Sequence, residues 1–166
     1  GKNASNIFFV SRGDNSGTHT AEKNLWIAAG FNYTRDVQKS GNWYIEAGKT
    51  MGETLIMAGE KGGYTLTDEG TYLAFKSQLN LVPIIKNGNA LLNRYSTIAV
   101  NPVKHPNTNI KEARRFINWL ISSEGKQMIG NFGKEKYGKG LFTPLEKDIC
   151  GKAPFNCDCT TQVTGN

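Results

Sequence analysis

Between Arg12 and His19 the chain reads RGDNSGTH, which places one guanidinium, one carboxylate, two hydroxyls, two glycines and one imidazole in eight consecutive residues. The chemistry this set suits best is capture of an anion. Arg12 carries a permanently charged fork of N–H donors matched to tetrahedral oxyanions, Ser16 and Thr18 add hydroxyl donors, and Gly17 lets backbone approach a ligand with no side chain between. Ser11 stands at the entry to the same stretch as one more donor. Asp14 is the exception. If its carboxylate pairs with Arg12, the site offers donors only and suits a fully deprotonated oxyanion; if it faces the ligand, it suits one that keeps a proton. A second chemistry, a hydrolase built on Ser16, His19 and Asp14, lacks the Gly-x-Ser-x-Gly elbow and a separate acid in recognisable order. The tripeptide Arg12-Gly13-Asp14 also matches an adhesion motif, for which chance is the better explanation.

Two elements must hold these residues. Ile7–Val10 is a short apolar run suited to a buried strand, and Glu22, Leu25, Trp26 and Ala29 give helical spacing, with Gly30 placed for a left-handed cap. The polar turn therefore lies between a strand's carboxyl end and a helix's amino end. There the first helical N–H groups lack intrahelical acceptors and the peptide dipoles leave partial positive charge. A second helix is expected from about Thr50 to Glu60, ended by Gly62-Gly63. Its start is a second candidate anion contact through Thr50 or the Met51 and Gly52 amides, with a plain N-cap the competing role for Thr50.

The string Arg12-x-Asp14-x-Ser16-Gly17-Thr18 resembles the phosphate-contacting turn of periplasmic phosphate-binding proteins. The longer run FVSRGDNSGTH…E…LW, then WYIEAGKTMGETL, KGGYTLTDEGTYLAF and LLNRYSTIAVNP, is similar to the tungstate-binding (TupA-type) solute-binding proteins of ABC transporters, in order from about Ile7 to Pro144. The resemblance implies an α/β fold, a type II periplasmic-binding-protein-like lobe in which a mixed β-sheet is flanked by helices in three layers. It implies capture of tungstate or molybdate without chemistry, with no cofactor and no metal centre, phosphate or sulfate being the alternative ligands. An ABC-transporter membrane subunit would be the partner, and the location periplasmic or secreted. It also places a crossing between lobes near Asn93–Ser96, where Tyr95 either lines the cleft or packs the hinge. The domains expected are 1–95 as the lobe carrying the anion turn, 96–146 as the segment returning to the other lobe, and 147–166 as a tail.

Composition is compatible with this. At 166 residues, 38% hydrophobic and 20% charged, the chain is the size of one ordinary domain, and no apolar run approaches the ~20 residues of a membrane span. Net charge +6 favours anionic partners. Nucleic acid is not expected, because the basic residues are scattered and no aromatic platform accompanies them. The chain opens Gly-Lys-Asn, and family members carry an additional Ser/Thr-rich anion turn with no counterpart here, so it reads as the later part of a longer protein. Cys150, Cys157 and Cys159 lack a nearby fourth zinc ligand and suggest one disulfide within the tail, its pairing open. Asn3 and Asn32 head glycosylation sequons.

Further along, Tyr64–Leu66, Leu81–Ile85 and Ser96–Val100 read as strands, with Pro83 assigning the second to an edge. Asp68 caps a helix carrying Tyr72, Leu73 and Phe75. The clearest amphipathic pattern is Ala113, Phe116, Ile117, Leu120 and Ile121, followed by a short helix that restarts at Ser122 and ends at Gly133; this pair is expected to pack on a sheet.

Overall fold

The computed structural model describes residues 7–144; the three cysteines and the Asn3 sequon lie outside them. The chain divides into two compact units, Gly1–Tyr95 and Ser96–Asn166.

In the first unit, strand β1 (Phe9–Ser11) leads into helix α1 (Gly17–Ala28), a π-helical turn (Tyr33–Gln38), strand β2 (Tyr44–Glu46) and helices α2 (Met51–Glu60) and α3 (Glu69–Phe75). β1 pairs in parallel with β2, Phe9 opposite Tyr44, Val10 opposite Ile45 and Ser11 opposite Glu46. Its other edge takes Tyr64, through Val10 N–H to Tyr64 C=O and Tyr64 N–H to Phe8 C=O, both 2.8 Å. β1 is thus the middle of three parallel segments joined by helical crossovers, the arrangement of an α/β lobe. The pairing among the described residues is parallel, and the strand expected at Tyr64–Leu66 is reduced to a single bridge.

The core gathers on β1 and α2, with Val10, Leu55, Ala58, Met51, Val37 and Tyr44 buried. An aromatic group of Phe9, Trp26, Trp43 and Tyr44, ring centroids 5.4–6.0 Å apart, seats α1 on the sheet. This explains the helical recurrence of Glu22 and Trp26. Gly30, at φ +86°, follows the Ala29 cap as the sequence predicts, and Gly62 (φ +59°) does the same for α2. Gly52 has a packing cause: a Cβ there would collide with the Phe75 ring, so α2 and α3 approach through it.

In the second unit α4 (Ile110–Ile121), α5 (Ser123–Asn131) and α6 (Lys134–Tyr137) follow one another. Asn109 caps α4 by accepting Glu112 N–H at 3.2 Å, and Ser122 caps α5 by accepting Gly125 N–H at 3.1 Å. Gly133, at φ +91°, ends α5 as expected. The expected sheet beneath α4 and α5 is absent among the described residues: Ala113, Ile117 and Leu120 are half-buried, while Phe116 and Ile121 are exposed. Nor are Leu81–Ile85 or Ser96–Val100 strands. Val82, Ile84 and Ile85 stand exposed, and Ile98 is 87% exposed. A β-rich composition forms a strand only where a neighbour supplies the ladder, and these segments have none here. No helix of the described residues is long and apolar enough to cross a membrane.

The α2–α3 contact gives a stability test. Gly52→Ala is expected to cost about 1–3 kcal/mol by overpacking against Phe75. Adding Phe75→Leu should recover part of that loss, and denaturant unfolding of the two variants and the double variant reads the coupling.

Candidate functional site

Parallel pairing places the carboxyl ends of β1 and β2 side by side, so the turns after them share one edge of the sheet, where open α/β sheets bind ligands. The register continues past the strands. Ala47 N–H donates to Ser11 C=O at 2.9 Å and Gly48 N–H to Arg12 C=O at 2.8 Å, which fixes the first turn against the second. Gly13, at φ +65°, lies where a Cβ would sit 2.6 Å from Glu46 Cβ, so a side chain would separate them.

Within the first turn Arg12 and Asp14 form an ion pair, Nη2 to Oδ2 at 2.7 Å. The other Asp14 oxygen, Oδ1, accepts Ser16 N–H at 3.0 Å. Burial works to raise the Asp14 pKa. The Ser16 hydroxyl and amide and the Arg12 guanidinium outweigh it and hold the carboxyl below its ordinary range. Both carboxylate oxygens are therefore engaged by protein donors. Of the alternatives open for Asp14, the structure adopts pairing with Arg12. The guanidinium keeps donors to spare: its Nε is buried without a hydrogen-bond partner among the described residues, a placement that calls for an acceptor.

The other predicted residues separate into two groups. Gly17 and Thr18 open α1, and neither their N–H groups nor the Thr18 hydroxyl has a hydrogen-bond partner among the described residues. Ser16 is the N-cap of α1, its hydroxyl accepting His19 N–H at 3.4 Å. Ser11 is 1% exposed and its hydroxyl accepts Gly13 N–H at 3.2 Å, so it braces the turn from within. Thr50 takes a capping role. Its hydroxyl donates to Glu53 Oε2 at 2.7 Å and its N–H to the same oxygen at 3.0 Å, the plain capping role weighed against ligand contact. Tyr95 closes the first unit, 71% exposed, its hydroxyl accepting from Asn93 Nδ2 at 3.2 Å; the register that joins the two turns does not reach it.

Sequence reasoning missed what lies under the turn. His19 is 3% exposed. Its Nδ1 accepts Asn15 N–H at 2.9 Å and its Nε2 lies 2.9 Å from the Tyr33 hydroxyl. Tyr33 reaches Glu46 Oε1 at 2.9 Å and Tyr44 at 2.9 Å, and Tyr44 donates to Glu22 Oε1 at 2.7 Å. Glu22, 3% exposed, also accepts from Trp26 Nε1 at 3.1 Å. A carboxylate recurring on the apolar side of α1 was the available signal for this network. Burial, with the Glu46 charge adding, pushes the Tyr33 hydroxyl up to about 12. Burial pushes Tyr44 up as well, reinforced by its bonds to Tyr33 and Glu22. Both ring nitrogens of His19 are taken up, by the Asn15 N–H and the Tyr33 hydroxyl, and it is the His19 backbone N–H that meets the Ser16 hydroxyl.

Residues 1–124 match the PBP superfamily domain. The chain belongs to that superfamily. It is 44% identical over 136 residues to the tungstate-binding protein TupA of Peptoclostridium acidaminophilum, a match covering 82% of this chain and 46% of that protein. Among solved structures, the tungstate-binding protein TupA from Desulfovibrio alaskensis G20 gives a TM-score of 0.71 at 40% identity, covering 87% of this chain and 57% of that one. The tungstate ABC transporter structure from Geobacter sulfurreducens gives 0.61 at 43%, covering 75% and 50%. This PBP superfamily chain spans about half the length of the relatives it matches.

The buried hydroxyls predict an alkaline limb in stability. An unfolded tyrosine ionises near pH 10, whereas Tyr33 holds its proton to about 12. Between those values the unfolded state carries fewer protons than the folded one, so stability falls as pH rises. Tyr33→Phe should remove part of that fall, and thermal unfolding across the range measures it.

Proposed function

We propose that the turn from Arg12 to Thr18 is the oxyanion-binding element of a solute-binding protein serving an ABC-type uptake system, with tungstate or molybdate as ligand. The observation that carries this reading is the donor-only character of the turn: Asp14 is consumed by Arg12 and Ser16. What remains to meet a ligand is the guanidinium, the Gly17 and Thr18 amides and the Thr18 hydroxyl. Tungstate, molybdate and sulfate are fully deprotonated near neutral pH and only accept hydrogen bonds. Phosphate keeps a proton part of the time and gains from a free carboxylate acceptor, which this turn does not offer. Three features support the oxyanion reading: the helix start with its dipole, the buried Arg12 Nε and the relatives named for tungstate binding. A protein of this kind works outside the cytoplasmic membrane, delivers its ligand to a membrane subunit and performs no catalysis on it. Thr50 and Tyr95 belong to this reading only as the second turn's cap and as a residue at the end of the unit. The ligand's first contacts are assigned to Arg12, Gly17 and Thr18.

Calorimetric titration of the purified protein with tungstate, molybdate, sulfate and phosphate tests the proposal. Arg12→Ala should weaken tungstate binding roughly 10- to 150-fold, the worth of one or more charge-assisted hydrogen bonds at 1.5–3 kcal/mol. Equal heats from variant and parent would remove Arg12 from the site. Asp14→Asn should leave the ratio of tungstate to phosphate affinity within about threefold of the parent, because the carboxylate does not face the ligand, and a selective loss of phosphate affinity would sink the donor-only account of selectivity.

A further inference from the structure

The bend at Asn15 needs a holder. At φ +58° it is a non-glycine residue in the left-handed region, which asparagine visits more readily than most side chains but which its surroundings must still hold. Two side chains of α1 do so. His19 Nδ1 accepts its N–H at 2.9 Å, and Lys23 Nζ donates to its Oδ1 at 2.9 Å. The first bond also removes an amide from the anion-facing set, in which the Gly17 and Thr18 N–H groups have no protein acceptor among the described residues.

The imidazole is held from behind. Because Nδ1 accepts, the ring proton resides on Nε2 and is donated to the Tyr33 hydroxyl, which in turn lies 2.9 Å from Glu46 Oε1. Glu46 ends β2, opposite Ser11 and against Gly13. One tautomer thus connects the neighbouring strand to the bend. The charged and titratable groups around it are Glu46 (Oε1 3.9 Å from Nε2) and Tyr44 from β2, Tyr33 from the π-helical turn, and Glu22 and Lys23 from α1. The Arg12–Asp14 pair lies on the turn itself.

We propose that His19 is a positioning residue of the anion turn, its bare Nδ1 holding the left-handed Asn15 bend on which the presentation of Arg12, Gly17 and Thr18 depends. The binding consequence rests on the oxyanion reading above; the behaviour of the Asn15 amide does not.

The test therefore has two arms. In His19→Asn the side-chain oxygen replaces Nδ1, whereas in His19→Gln the polar atoms reach the Nε2 position instead. Amide hydrogen exchange at Asn15, normalised to intrinsic rates, should show protection in wild type. His19→Asn should keep that protection, and His19→Gln should lose about tenfold or more of it. In tungstate titrations His19→Asn should bind within about threefold of wild type, while His19→Gln weakens about tenfold or more. Equal Asn15 protection in His19→Gln and wild type would overturn the proposal. So would a loss of protection in His19→Asn. If His19→Gln does not fold, the comparison of wild type with His19→Asn still decides. Absence of tungstate binding in wild type would count against the oxyanion reading and leave the exchange result to judge His19.

Discussion

Two backbone hydrogen bonds beyond the end of β1, Ala47 N–H to Ser11 C=O and Gly48 N–H to Arg12 C=O, decide where everything chemical in the first unit sits. Parallel pairing alone would bring two strand ends level. These bonds carry the ladder one step into the loops, so Arg12 is positioned by main chain before its side chain makes any contact. Gly13 is the geometric condition for this, because Glu46 occupies the space a Cβ would need. The turn is thus attached to β2 as firmly as to the strand that precedes it, and α1 starts from a fixed point. A helix start with unsatisfied amides is a weak feature by itself. Held at a sheet's carboxyl edge beside a buried guanidinium nitrogen, it becomes a specific one.

The same packing explains how a basic turn tolerates acidic neighbours. Asp14, Glu22 and Glu46 all lie near the site, and any of them facing an oxyanion would repel it. Each is occupied elsewhere: Asp14 by Arg12 and the Ser16 amide, Glu22 by Tyr44 and Trp26, Glu46 by Tyr33 and Gln38. Hydroxyls and an indole N–H absorb the carboxylates' acceptor capacity. A buried carboxylate without such donors would be costly, so the network is both an electrostatic screen and a stability requirement.

Much of the first unit was legible because local signals and tertiary packing agree there. The apolar run before the turn, which forms β1 at Phe9–Ser11, and the Gly30 and Gly62 caps are short-range chemistry, and they occur close to where the residues place them. The Arg12–Asp14 pairing was legible as one of two alternatives, since residues two apart across a glycine can reach each other. Hydroxyl roles were not. Ser11, Ser16 and Thr50 look identical to ligand donors in a sequence, yet each hydroxyl also bonds within the protein, which depends on where Gly13, His19 and Glu53 end up. His19 was hidden for a related reason: its partners Asn15 and Tyr33 lie four and fourteen residues away, and nothing in the sequence of the π-helical turn announces that Tyr33 folds back to it.

The segments misread as strands fail by the opposite rule. Val82, Ile84, Ile85 and Ile98 have the composition of buried strands but stand exposed, and Phe116 and Ile121 present an apolar stripe of α4 to no sheet among the described residues. Helical signals survive this because a helix satisfies its own hydrogen bonds. α4 and α5 form with Asn109 and Ser122 as caps whether or not their apolar faces are covered. A strand has no such independence, since every donor and acceptor on its edges must be met by another segment. The turn after β1 escapes this dependence because its strand finds both neighbours, β2 and Tyr64, within the same 95-residue unit.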